Sequence, residues 1–562
     1  MFRPLPLLAL GCLTALGAAP ATAQVSPLSQ ASEVLTSSPF PLRVAAGDVT
    51  QTSAVVWATS PDTATLRLVV ATDAAFETVV FDQTVETGGL LRPSKAELSN
   101  LTAGTQYWYR VSDANDNSDQ GTFRTPHAPT AKHGLRFGIS GDGRGDQLPF
   151  HSIANVPERD LDFFVYLGDT IYADITSPIL PEVEFATTVR EFALKHAEVN
   201  ASNEDGFNFL GDLRTSTAVF ASIDDHEVIN DFAGGAAPKS DPRFDQNGAF
   251  INETLLFSAG LRGFINAYPM RDLRYGDTGD PRTAFKRKLY RAVDFGQDAS
   301  LFVLDARSFR DEPLPPVVDP TNLLEVSAFL LASFDPTRTM LGDVQVEDLK
   351  ADLLAAHEQG VEWKIVCVPE PIQNLGVLAA SDRFEGYAAE RTEILSFVDE
   401  NEIDNVVFVC ADIHGTVINN LEYEPGLGQP GVSTNAFEIS TGSVAFADPF
   451  GPTVIFLAFD QGLVSQEELD LYLSLPIPAQ DQFLKTTIDA NITPFGYPAI
   501  GLESTPVNAE LLAGDYIAVH TWGWTEFEID PETSVLTIST WGITPGTDET
   551  PAVVSQFRVT PQ

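Results

Sequence analysis

Leu161-Asp162-Phe163-Phe164-Val165-Tyr166-Leu167-Gly168-Asp169-Thr170-Ile171-Tyr172 decides the fold. An apolar run of strand length, residues 161–167, ends in Gly168-Asp169 with Tyr172 three residues on. Near-continuous apolarity marks a strand covered on both faces. The same grammar recurs along the chain. Residues 135–140 run into Ser140-Gly141-Asp142-Gly143-Arg144, residues 218–223 into Asp224-Asp225-His226-Glu227-Val228-Ile229-Asn230-Asp231, and residues 406–409 into Cys410-Ala411-Asp412-Ile413-His414. Further apolar runs at 301–304, 363–368 and 436–440 alternate with helical patterns at 187–199, 346–359 and 390–401. Such alternation predicts an α/β layered core in which several strand ends bring ligands to one place. Asp, Tyr and His together suit a hard or ferric ion.

A length of 562 residues favours two or more domains. Residues 1–23 have the layout of a secretory signal peptide, an apolar run followed by Ala21-Thr22-Ala23, so cleavage after Ala23 and a secreted or periplasmic location are expected. Arg3 stands alone, which favours the general secretion route over the twin-arginine one. No later apolar stretch approaches the roughly 18 residues of a spanning helix, so no stable membrane insertion is expected. Residues 24–38 read as a linker. Residues 39–127 hold short alternating stretches separated by turn residues, which predict an antiparallel β-sandwich. The catalytic domain then spans 132–562, closed near its end by a hairpin around Asp530-Pro531-Glu532-Thr533. Residues 445–510 carry no clear pattern.

Lysines and arginines number 33 against 78 aspartates and glutamates, a net charge of −45. That field repels nucleic acid and anionic surfaces, so no nucleic-acid polymer is expected as partner. Only Cys367 and Cys410 follow the leader, each in an apolar run, which excludes a disulfide framework and predicts two buried thiols.

A two-metal phosphoesterase needs one carboxylate to bridge ions about 3.5–4 Å apart while other groups complete each sphere. Asp169 is the candidate bridge, Tyr172 a candidate phenolate ligand, Asp142 and Asp225 further ligands, and Asp412 and His414 a pair that faces one way in extended chain. Arg144 suits a phosphoryl oxygen. His226 suits the leaving-group oxygen, and Asn230 a metal or phosphate.

The ordered set of motifs resembles the alkaline phosphatase D family of the metallophosphoesterase superfamily. It comprises residues 167–172 and 224–228, Asp305-Ala306-Arg307-Ser308-Phe309-Arg310, Arg338-Thr339-Met340-Leu341-Gly342 with Gln345, Gly386-Tyr387 with Glu390-Arg391, and Asp412-Ile413-His414. Leu101-Thr102-Ala103-Gly104-Thr105-Gln106-Tyr107-Trp108-Tyr109 is similar to the turn and aromatic strand of fibronectin type III domains. The resemblance implies a four-layer αββα sandwich preceded by a small all-β fibronectin/Ig-like sandwich. It also implies hydrolysis of phosphate esters, phosphodiesters included. Attack by a metal-bridged hydroxide on small mono- or diesters, in a monomer, is the expected reaction. Asp169, Tyr172 and His414 would hold Fe3+, and Asp169, Asp225 and Asp412 would hold Ca2+. The family places Ser-Cys after its first strand, where this chain reads Ser140-Gly141-Asp142. Either Asp142 takes the thiolate's place or the register shifts by one, and Mn2+, Zn2+ or Mg2+ could then replace iron. Two other readings remain: a phosphodiesterase or phospholipase-type hydrolase, and a non-catalytic calcium-binding extracellular protein.

Overall fold

The computed structural model describes residues 43–562, apart from 116, 204, 320–321, 377–379, 461–463 and 494–495. The expected signal peptide and linker lie outside the described residues.

One large sheet runs, edge to edge, through Ala509–Ala513, Ala552–Val559, Leu536–Ile543, Trp522–Ile529, Leu135–Gly143, Phe163–Leu167, Ala218–Ser222, Arg43–Thr50, Ser53–Thr59 and Ser94–Ser99. Ser443–Ala445 adds a short parallel pairing at Gly141 and Gly143. A second sheet orders Arg291–Phe295, Ala299–Val303, Trp363–Cys367, Val406–Cys410, Val432–Ser440, Thr416–Tyr423 and Ile517–Ala518. In each sheet the central strands are parallel, Leu135–Gly143 through Ala218–Ser222 in the first and Ala299–Val303 through Val432–Ser440 in the second.

Strand alternation sorts the apolar residues into separate cores. Phe163, Val165 and Leu167 join a core shared with Leu301, Ile365 and Val407 of the second sheet. Their neighbours Phe164 and Tyr166 face the other way, toward Phe192 of helix Val189–Glu198 and Phe264 of helix Leu255–Ala267. On the far side, Phe302, Val366 and Phe408 pack with Leu349 and Leu353 of helix Asp343–Glu358 and Ile394 and Leu395 of helix Ala388–Glu400. The layers therefore run helices, sheet, sheet, helices. The shared core is rich in aromatic stacking, with Phe137 packed 4.7 Å from Phe163 and 4.8 Å from Phe527. Each such ring contributes about 1.5–3 kcal/mol through burial.

Two features go beyond the sequence reading. The N-terminal β-rich segment is joined to the large sheet, because Arg43–Thr50 pairs in parallel with Ala218–Ser222 and extends it. An otherwise open sheet edge is thereby covered. The remaining N-terminal strands, Val79–Gly88, Thr63–Ala71, Gln106–Ser112 and Ser118–Arg124, form a separate four-stranded sheet. Within it the Tyr107 hydroxyl accepts from the Thr102 amide at 2.8 Å, tying the turn to its aromatic strand. The second feature is 445–510, which holds three helices, Phe450–Asp460, Gln466–Ser474 and Ile477–Ile492. A Ser465–Glu468 capping box starts the middle one.

Cys367 and Cys410 are buried and unbridged, as expected. No helix among the described residues is long and apolar enough to cross a membrane.

Candidate metal centre

The parallel strands of both sheets end at one place, where loops of open α/β sheets collect ligands. Leu135–Gly143 carries Asp142 on its last turns, Phe163–Leu167 delivers Asp169, Ala218–Ser222 delivers Asp224 and Asp225, and Val406–Cys410 delivers Asp412 and His414. Backbone bonds fasten these segments together, from the Asp142 amide to Gly168 O at 3.3 Å, from the Gly143 amide to Asp169 O at 3.1 Å, and from the Gly168 amide to Ser222 O at 3.3 Å.

Asp142, Asp169, Asp412 and His414 all have left-handed backbone, with φ of 59°, 47°, 62° and 56°. That conformation costs non-glycine residues of order 1 kcal/mol or more each, and it persists where surrounding structure imposes it, typically at functional sites. Gly168, at φ 76°, makes the turn that precedes Asp169 without that cost.

Ligand atoms of Asp142, Asp169 and His414 lie within 4.8 Å of one another, as do those of Asp169, Asp225 and His226, and those of Asp225, Asp231 and Asp382. Asp169 and Asp225 are thus each shared between neighbouring groups. The Tyr172 hydroxyl lies 3.3 Å from His414 Nε2, which stands 3.7 Å from Asp142 Oδ1. The Phe446 ring stacks on His414 with centroids 3.7 Å apart and excludes water from that side.

The residues at the end of the first parallel strand place their side chains differently. Ser140 turns its hydroxyl to the carbonyls of Gly442 and Gly523, both at 2.9 Å. A Cβ at Gly141 would meet Leu167 O at 2.5 Å, so that position has no room for a side chain. Asp142 is the residue of this segment that points into the cluster, and among the described residues no hydrogen bond of normal geometry reaches either of its carboxylate oxygens although the residue is 1% exposed. Burying an unpaired carboxylate costs several kcal/mol, so this donor set fits a cation.

The electrostatics agree. Burial, reinforced by neighbouring carboxylates, pushes Asp142, Asp169 and Asp412 well above the usual carboxylate range. Burial also lowers His414 to about 3, leaving a neutral imidazole suited to metal ligation. Burial alone would lower His226 as well, but Asp174, Asp169 and Asp225 outweigh it and raise the ring well above its ordinary value.

His226 Nδ1 is 2.5 Å from Asp174 Oδ1, which leaves Nε2 facing the cluster, 4.0 Å from Asp169 and 3.8 Å from Asp225. The Asn230 amide holds the other Asp174 oxygen at 2.9 Å. Glu227 accepts from the amide and hydroxyl of Thr170, at 2.5 and 2.6 Å, and from the Asp224 amide at 2.8 Å. It acts as a clamp between two ligand loops. Asp412 joins none of the three groups, although Asp224, Asp382 and Asp225 all influence its carboxyl. Arg144 is engaged by Asp146 through two bonds of 3.0 and 2.8 Å, with its guanidinium 5.3 Å from the Phe446 ring centre.

Several functional groups were not singled out by the sequence reading. Asp174, Glu370, Asp382 and Phe446 carry no strand-end motif. Arg307 and Arg310, part of a motif in the sequence, are fully buried counter-charges. Arg307 contacts Asp224 at 2.6 Å, Asp382 at 2.9 Å and Asp225 at 3.4 Å, and also pairs with Glu370. Arg310 contacts Asp382 at 2.5 Å and Glu370 at 2.7 Å. Gln345 does pack structurally, since it bonds both backbone groups of Asp305.

Residues 139–468 match the PhoD-like phosphatase family, and residues 25–127 match the N-terminal domain of PhoD-like phosphatases. The chain belongs to the PhoD-like phosphatase family. That family is one of phosphoric ester hydrolases, so the resemblance read from the motifs is borne out. Alkaline phosphatase D of Bacillus subtilis (strain 168) is 24% identical over 432 residues, covering 69% of this chain and 66% of that protein, just under two thirds of its length. A solved PhoD structure superposes with a TM-score of 0.66 at 19% identity, covering 92% of this chain and 90% of that one, which shows a shared fold. A purple acid phosphatase from yellow lupin seeds gives a TM-score of 0.49 at 12% identity, covering 93% and 75% of the two chains.

Proposed function

We propose that this chain is a secreted, metal-dependent phosphoric ester hydrolase acting on small phosphate mono- or diesters. The observation that carries the proposal is Asp142, a buried carboxylate without a hydrogen-bond partner at a convergence of strand ends in a phosphatase-family chain. Asp142, Asp169, Tyr172 and His414 would hold one ion, for which a phenolate, an imidazole and carboxylates favour Fe3+. Asp169, Asp225 and Asp412 would hold a second, where oxygen donors alone favour Ca2+. Bound ions supply Lewis acidity and lower the pKa of water near the phosphorus.

The chain's own groups do the rest. His226, oriented by Asp174, presents Nε2 to the leaving-group oxygen and carries the proton that oxygen needs. Arg144 exchanges its Asp146 partner for a phosphoryl oxygen, and Asn230 supplies a polar contact for the ester. Arg307 and Arg310 fix the carboxylates behind the cluster. The signal-like residues 1–23 would export the chain, and the N-terminal strands would form a fibronectin-like sandwich fused to a four-layer αββα catalytic unit.

The test compares turnover of an aryl phosphate monoester and a bis-aryl diester before chelation, after chelation, and after readdition of Fe3+, Ca2+, Mn2+, Zn2+ or Mg2+ singly and in pairs. Activity lost on chelation and restored by a pair of ions is expected. Undiminished turnover in the chelated protein would sink the proposal.

A further inference from the structure

A second charged site lies away from the metal centre, and it has the opposite sign. Residues 262–291 carry eight of the chain's 33 lysines and arginines against three aspartates, a local net charge of +5 within a chain of −45. Most of these cations are paired. Arg282 meets Asp311 at 2.7 Å, Lys288 meets Asp348 at 2.6 Å, and Arg291 meets Asp48 at 2.8 Å.

Arg262 and Arg274 are different, because neither has a carboxylate partner among the described residues. Both line a cleft of about 430 Å3 together with Arg287, Lys286, Leu255 and Ser258. One wall is a single face of helix Leu255–Ala267, where Leu255, Ser258 and Arg262 recur at helical spacing. The other is a two-stranded bend in which Arg274 stands directly across from Arg287 in an antiparallel bridge. Like charges directly opposed across a strand pair are destabilising. Arg287 has Asp272 at 3.4 Å, Arg274 donates to the Phe285 carbonyl at 3.3 Å, and Lys286 is held by Glu253 at 2.8 Å. Burial lowers the Arg287 pKa, Asp272 opposes it, and Arg274 and Arg262 lower it further, so Arg287 feels both neighbouring guanidinium groups. An anion between them would relieve that repulsion and take forked hydrogen bonds.

The cleft is also apolar. Phe257, Leu261 and Phe309 contribute to its lining, and Leu255 at its edge is 75% exposed. Phe285, on the same bend, is 64% exposed. Its volume falls in the range of about 300–1,000 Å3 typical of small-molecule sites.

We propose that this cleft binds a single amphiphilic molecule with a phosphate or phosphonate head, the head among Arg262, Arg274 and Arg287 and the apolar tail along Leu255 and Phe257. It does not depend on the hydrolytic reading, since no candidate metal ligand lines the cleft. Decylphosphonate, whose carbon–phosphorus bond resists ester hydrolysis, is the probe. Calorimetry at low salt and below its micellar concentration would compare the full-length protein with the Arg262→Ala/Arg274→Ala variant and with Arg274→Glu. The wild type is expected to show a binding event that weakens by about tenfold or more for each guanidinium removed. Thermal melting and aryl phosphate turnover should stay unchanged in both variants. Identical isotherms for the three proteins would overturn the proposal. So would inorganic phosphate or decanol binding to the same event as tightly as decylphosphonate, or binding confined to phosphatidate vesicles.

Discussion

Asp142 and Asp169 on one side of the cluster, and Asp224, Glu370 and Asp382 on the other, are carboxylates of one buried centre that are balanced differently. Asp382 receives two bonds of 2.9 Å from Arg307 and one of 2.5 Å from Arg310, and these guanidinium groups outweigh burial and hold its pKa below the usual value. Among the described residues no hydrogen bond of normal geometry reaches the Asp142 carboxylate, and Asp169 accepts from the His226 backbone amide at 3.2 Å. One set is neutralised by residues encoded in the chain. The other is left for something the chain must acquire. Asp142 therefore reads as a ligand, with both oxygens orphaned among the described residues, and Asp382 as scaffold, its oxygens already held by arginines.

The largest effect expected from this contrast is catalytic. Asp142→Asn should lower kcat on an aryl phosphate about 10³-fold or more, roughly 4 kcal/mol of transition-state stabilisation. Its melting temperature without metal should not fall, because the substitution removes an unpaired buried charge. A variant that keeps wild-type turnover would erase the distinction. Arg307→Met addresses the other set. It leaves Asp224, Glu370 and Asp382 short of their counter-charge, so urea titration should show about 3–5 kcal/mol of lost stability. A loss below about 1 kcal/mol would mean that these carboxylates are balanced by other means.

Metal removal separates the two sets within one protein. Ions present at 100 to 1,000 times their Kd stabilise by about 3–4 kcal/mol. Chelation should therefore lower the wild-type melting temperature while barely moving that of Asp142→Asn, and equal shifts in both would count against Asp142 as a ligand. Glu390 supplies a smaller test away from the cluster. Burial raises its pKa to about 7, with Thr339 and the Met340 and Leu341 amides holding the carboxylate. A carboxyl raised in the folded state contributes stability below its unfolded value, about 4.3, that is lost as pH rises through the folded value. Relative to Glu390→Gln, the wild type should thus lose about 2–3 kcal/mol between roughly pH 4.5 and 7, whether or not metal is present. A difference independent of pH would contradict the raised value.

The parallel strands and the ligand loops were legible because each runs straight from continuous apolarity into Asp, His or Tyr. Residues 161–172 alone gave strand, turn and ligands. Three helices in 445–510 were not legible, since Phe450–Asp460 is nearly apolar throughout and shows no polar face to set a period. Nor was the fusion of Arg43–Thr50 to Ala218–Ser222, because parallel pairing between distant segments leaves no local trace. Asp174, Glu370 and Asp382 were missed for a related reason. Each lies in irregular chain whose position is set by what it touches, His226 in one case and Arg307 with Arg310 in the others.

The most direct measurement is the metal content per chain of purified wild type and Asp169→Asn, determined by elemental mass spectrometry after loading and removal of free ions. Asp169 is shared between two of the ligand groups. Two ions per wild-type chain and one or none in the variant are predicted, with the variant still folded by circular dichroism. Equal metal content in the two proteins would contradict the account.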